Sequence, residues 1–285
     1  MIDCERLSDE FENKAEQKVF RHRSCRKEAA ALLKSDGRRL SLIWACLGIF
    51  AFIMGGALAG IYAQNAVINL LEYRELGELW IGLFVWLSNM VFFGILVFLL
   101  LPLLTGIIPF AVTVVDGRAD ASLLFRPFSD ATAYGHALAL MWSFLWRVTA
   151  AAAVMLPIIG IVSTQFTDEA WPDWVEWILF VIFAVILLMT MMLSGGTFLT
   201  PYLAAVHPEK SLREYRKTSR AAASGYYFEI FFFRLFFVVM AVLSLLTVGI
   251  TLLACVAPLL LTAYVIAARR LLANIDESER STDTI

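Results

Sequence analysis

From Leu235 to Ala268 the chain runs for 34 residues without a charged side chain. A bilayer's hydrocarbon core is about 30 Å thick and is crossed by roughly 20 apolar residues at about 1.5 Å rise each. The surrounding apolar region, Tyr226 to Ala268, is therefore too long for one span and too greasy for water. Four other stretches pass the same length test: Leu40 to Tyr62, Leu79 to about Leu101, Ala137 to Val162 and Trp174 to about Ala204. Hydrophobic residues make up 60% of the 285, where a soluble domain holds about 45–50%. Charge is instead concentrated at the start, with ten Lys/Arg and eight Asp/Glu in residues 1–39. In hydrocarbon every backbone polar group needs an internal partner, so runs of this length predict an all-α fold, a polytopic membrane helix bundle.

The long region divides most simply into a hairpin turning near Thr247-Val248-Gly249-Ile250-Thr251, which returns Arg269 and Arg270 to the side where the chain began. The alternative is one helix kinked at Pro258. Loop charge separates the two, because Lys/Arg in short loops favour the cytoplasm. With six spans, the inner segments carry ten, two, five and three Lys/Arg, and the outer ones carry only Arg74. The outer loops are acidic, with Glu72, Glu75 and Glu78 in one and Asp168, Glu169 and Asp173 in another. The expected organisation is a cytoplasmic arm 1–39, a domain 40–272 with spans near 40–62, 79–101, 137–162, 174–204, 226–247 and 250–270, and a disordered cytoplasmic tail 273–285. Trp80, Trp86, Trp171 and Trp174 fall near span starts, where aromatic rings suit the headgroup layer.

Several function classes lose support. The net charge of −2 gives no reason to expect nucleic-acid binding. Cys4, Cys25, Cys46 and Cys255 have no paired spacing, so a disulfide framework is not expected. Cys4, Cys25 and His22 fall short of the four closely spaced ligands a structural zinc site takes, and neither metal nor cofactor is expected. The first apolar stretch begins at Leu40 behind a long polar arm, which reads as an anchor rather than a cleaved signal.

Self-similarity suggests three units, each a short cytoplasmic helix, a glycine (Gly37, Gly135 or Gly225) and a membrane hairpin. The helices are expected over Arg26 to Asp36, Ala121 to Tyr134 and Ser211 to Ser224. Ile108-Pro109-Phe110 parallels Thr200-Pro201-Tyr202, and Phe144-Leu145-Trp146-Arg147 parallels Phe231-Phe232-Phe233-Arg234. Stacked helical repeats can enclose a cavity where they meet. The stretches Arg26-Lys27-Glu28-Ala29 through Leu33-Lys34, Ser122 through Phe128, and Pro201-Tyr202 through Ser219 and Gly225 resemble a bacterial six-helix membrane family catalogued as domain of unknown function 975. A more distant likeness is to the membrane domain attached to some glycerophosphodiester phosphodiesterases. The resemblance covers about Arg26 to Leu272 and implies a bacterial cytoplasmic-membrane protein. It supplies no catalytic residues.

Ionisable groups at membrane depth are functional candidates, since each costs at least about 2.5 kcal/mol to insert. Here they are Arg147, Arg234, Glu229 and His136. The arginines could snorkel to the headgroups, or they could line a cavity holding an anionic group such as a lipid phosphate, which the guanidinium fork suits. Glu229 lies about 140° round the helix from Arg234 and would pair across helices, with Arg147 or His136 as candidates. Gly55, Gly56, Ala59 and Gly60 allow close helix packing, within the chain or between two copies. The N-terminal arm could lie as an amphipathic helix on the inner leaflet, or be a solvated surface helix. Asp116-Gly117-Arg118-Ala119-Asp120 reads as a polar turn, and His207-Pro208-Glu209 as a loop that ends the fourth span. With three histidines and no nucleophile-base set, the chain is expected to be non-enzymatic. It would bind or move a lipid or small amphipathic solute, with membrane lipids as partners, or assist another membrane protein. The alternatives are an enzyme acting on lipid headgroups and a structural scaffold.

Overall fold

The computed structural model describes residues 20–34, 36–73, 78–142, 173–245 and 249–282, and no strand occurs among them. The helices are α1 (His22–Leu32), α2 (Asp36–Tyr73), α3 (Glu78–Val115), α4 (131–142), α5 (Asp173–Leu193), α6 (Thr200–Val206), α7 (Leu212–Ala223), α8 (Tyr227–Leu245) and α9 (Ala257–Thr282). Among the described residues four segments are long and apolar enough to cross a membrane: Gly37–Leu70, Phe98–Val115, Tyr227–Ser244 and Leu252–Ala273. Their outward faces are apolar too, with Trp44, Phe228 and Val242 largely exposed, as lipid-facing side chains are.

α2 and α3 hold 38 residues each, about 57 Å of helix, and pack antiparallel along one another. Both therefore overrun the spans predicted at 40–62 and 79–101. α3 continues through Pro102 and Pro109, and the carbonyl that Pro102 strands is met from elsewhere. Pro102 removes the N–H that would reach the Phe98 carbonyl, and the Tyr134 hydroxyl of α4 donates to that carbonyl at 3.0 Å. α3 stops at a Schellman turn. Gly117 takes φ +82°, its N–H reaches the Val114 carbonyl at 3.0 Å, and the Arg118 N–H reaches that of Thr113 at 2.8 Å.

The region Tyr226 to Ala268 is two helices. α8 ends at Leu245, Gly249 turns the chain at φ +74°, and a π-helical segment, Leu252–Val256, leads into α9 just ahead of Pro258. α9 sits at the centre of the bundle. Its fully buried Ala263, Ala267 and Ala268 let α1, α3 and α7 approach closely. The helix also runs through Thr282, where the sequence predicted disorder from residue 273. Extending a formed helix is far easier than starting one.

The arm helix does not lie free on a surface. Phe20, Cys25 and Ala29 are buried in the core, and Phe20 meets Tyr226 edge-on at 5.8 Å. Arg26 stacks on Phe236 of α8, 3.7 Å from the ring centroid. Arg270 of α9 holds Ser24 at 2.6 Å and pairs with Glu28. Of the three repeat glycines only Gly225 breaks the chain, at φ +85°; Gly37 and Gly135 lie inside α2 and α4. The helix expected over Ala121 to Tyr134 is replaced by two 3-10 turns, Ala121–Leu124 and Arg126–Phe128, with α4 following. Pro127 enforces that division.

Candidate functional site

The fourth expected span, 174–204, is a broken helix. α5 ends at Leu193, a 3-10 turn spans Ser194–Thr197, and α6 starts at Thr200. Such a break frees backbone groups that hydrocarbon cannot satisfy, and side chains from three other helices take them. Arg234 donates through Nη2 to the Ser194 carbonyl at 3.2 Å and through Nη1 to its hydroxyl. The Ser219 hydroxyl of α7 accepts from the Leu199 N–H at 3.0 Å. Tyr264 of α9 donates to the Phe198 carbonyl at 2.8 Å and accepts from the Tyr202 N–H at 3.2 Å. Gly195 and Gly196 leave room for Tyr227 and Arg220 to lie against the turn.

The break swings α6 toward the second half of α3, and a cavity of about 430 Å³ lies between them, closed further by the start of α4 and of α7. Pro109 and Pro201, the matched prolines of the second and third units, both line it. One flank depends on Gly106. A Cβ there would stand 2.2 Å from the Leu124 carbonyl oxygen, so only glycine lets the 3-10 turns lie on α3. The other flank is set by α7, whose start carries a capping box: the Glu214 N–H donates to the Ser211 hydroxyl while the Glu214 carboxylate takes the Ser211 N–H. That places Tyr215 inward, with its hydroxyl on the His207 carbonyl. Burial, with the charge of Glu209 adding, raises the Tyr215 phenol above its ordinary pKa.

The wall is apolar, including Ile108, Ala137, Leu140 and Leu212, and the rim is charged. Arg126 and Asp130 stand on the turn before α4, and Glu209 on the loop between α6 and α7. No carboxylate pairs with Arg126 among the described residues. Asp130 accepts from the Thr132 hydroxyl, and this bond together with the Thr132 N–H holds its carboxyl below the usual range. Glu209 lies 3.6 Å from His207 Nδ1.

Of the residues singled out by sequence, His136 lines this cavity. Arg147 lies outside the described residues. Arg234 is engaged at the helix break, and its guanidinium also lies 5.4 Å from the Phe198 ring centroid. Glu229 meets His22 of α1, with its Oε2 2.6 Å from His22 Nδ1. Asp116, in the turn after α3, pairs with Arg269 at 2.7 Å. The described candidates are thus not one cluster. Gly60 is pressed under Phe92 of α3, whereas a Cβ on Gly55 would meet nothing, and Ala59 is exposed. Part of the small-residue face thus packs within the chain. Among the described residues no three His, Cys, Asp or Glu could share a metal.

Sequence reasoning passed over Arg126, Asp130, Glu209 and Tyr215. The available signal was the pair of proline motifs, whose parallel pointed to one shared place without naming its rim. No family model, curated protein or solved structure matches the chain.

Proposed function

We propose that the protein is a six-span bacterial cytoplasmic-membrane protein, with both termini inside, that binds or moves a lipid or small amphipathic solute without chemically changing it. The single observation that carries this reading is the cavity: an apolar wall under a charged rim, lined by the matched prolines of two sequence units, with a volume inside the roughly 300–1,000 Å³ range of small-molecule sites. Support for six spans comes from loop charge and from α5, whose 21 residues give about 31 Å of helix. The three-unit order rests on the proline parallel. The resemblance to the uncharacterised six-helix family agrees with this reading. A headgroup enzyme would need its acidic and basic groups to converge, but Glu229, Asp116 and His136 have separate surroundings.

Native mass spectrometry of the full chain in mild detergent tests the reading. Wild type is expected to retain a co-purifying amphiphile, and Ala133→Trp or Leu140→Trp, which fill the cavity, to lose it. Equal retention by folded forms of all three proteins would overturn it.

A further inference from the structure

The rim of the cavity sorts its ligands by charge. It carries one cation, Arg126, and two carboxylates, Asp130 and Glu209, with His136 also lining the cavity. A wholly anionic head would find Arg126 but also face both carboxylates. A wholly cationic head would leave Arg126 unpaired. A head with both charges suits both sides: a phosphate can take two parallel hydrogen bonds from the guanidinium fork, and an ammonium a few bonds away has carboxylates on both flanks of the rim. The hydrogen bonds from Thr132 favour the charged form of Asp130, and the apolar wall offers room for the start of a tail.

Resting on the amphiphile-binding reading, we infer that the cavity takes an amphiphile whose head is zwitterionic, a phosphate joined to an ammonium, in preference to anionic or cationic amphiphiles. The shared head chemistry could also arrive as a free, tail-less phosphoammonium compound. The apolar wall commits the site to the tailed form.

The test uses the full chain in an uncharged detergent and native mass spectrometry with phosphatidylethanolamine, phosphatidylglycerol, an alkyltrimethylammonium amphiphile and free phosphoethanolamine as probes. Phosphatidylethanolamine is expected to be retained about fivefold over the other two amphiphiles, a modest ratio because the rim charges are exposed. Asp130→Asn with Glu209→Gln should erase its advantage over phosphatidylglycerol, and Arg126→Gln should weaken both phospholipids. Free phosphoethanolamine should fail to compete at equal concentration. If it competes, or if phosphatidylglycerol or the cationic amphiphile binds as well as phosphatidylethanolamine and the carboxylate variants change nothing, the inference is overturned. The cavity-filling variants separate this failure from that of the broader reading. Binding lost in Ala133→Trp with no headgroup preference sinks the zwitterion alone, whereas binding that survives it sinks both.

Discussion

Glu229 of α8 caps α1 from outside the helix: its Oε2 accepts the backbone N–H of His22 at 2.9 Å and lies 2.6 Å from the same residue's Nδ1. His22 is the first residue of α1, so this N–H has no partner within its own helix. Arg21, at the N-cap position, makes no side-chain cap bond. A carboxylate is well suited to the positive end of a helix dipole.

Glu229→Ala is therefore expected to loosen α1 by about 1 kcal/mol, the usual worth of a cap. Hydrogen exchange should read this as about fivefold faster exchange in the first turn of α1, with α7 unaffected. Unchanged exchange would mean that Arg270 and the buried Phe20 hold the helix alone.

Gly106→Ala should lower the melting temperature in detergent by several degrees, since overpacking costs about 1–3 kcal/mol and the obstructing atom is backbone. Gly55→Ala is the contrast. With nothing near the added carbon, it should hold or slightly raise stability, as helical Gly→Ala changes do by up to about 1 kcal/mol.

Arg234→Lys keeps the charge but loses the fork that grips Ser194 through two nitrogens. A loss of about 1–3 kcal/mol is expected. In a double-mutant cycle with Ser194→Ala the two effects should fall short of additive. Full additivity would show that the Ser194 hydroxyl adds nothing to the hold that Arg234 has on the Ser194 carbonyl.

Burial in the core pushes the Cys25 thiol up to about 11, against the lowering pull of Arg270. The folded state then holds this proton more tightly than the unfolded chain, whose thiol titrates near 9. The contribution to stability is fully present below pH 9 and lost as pH rises toward 11. The difference between wild-type and Cys25→Ala stability curves should narrow across that interval. Alkylation at pH 8 should reach Cys25 only after denaturation, because the thiol is both buried and protonated.

The sequence displayed what the bilayer demands and little of what the side chains negotiate. Runs such as Leu235 to Ala268 are legible because hydrocarbon imposes length and apolarity on any crossing helix, and a glycine such as Gly249 can turn between two of them. The helix break at Ser194 was hidden, since the groups that permit it, Arg234, Ser219 and Tyr264, come from distant segments. Intramembrane depth drew attention to Arg234, but a polar group at depth can serve the backbone as readily as a ligand. The rim residues Arg126, Asp130 and Glu209 sit in turns, where charge is commonplace and only proximity in the fold gives it meaning. Gly106 was one glycine among 16 until the Leu124 carbonyl was placed against it.

The partners that seat α1 have a consequence for biosynthesis. Glu229 lies 207 positions after His22, and Arg270 lies 246 after Ser24. At roughly 5–20 residues per second, the ribosome needs on the order of ten seconds or more to deliver them. Among the described helices α1 is thus made first and waits for the last two before it is seated, and a chain truncated before α8 would carry it without these partners.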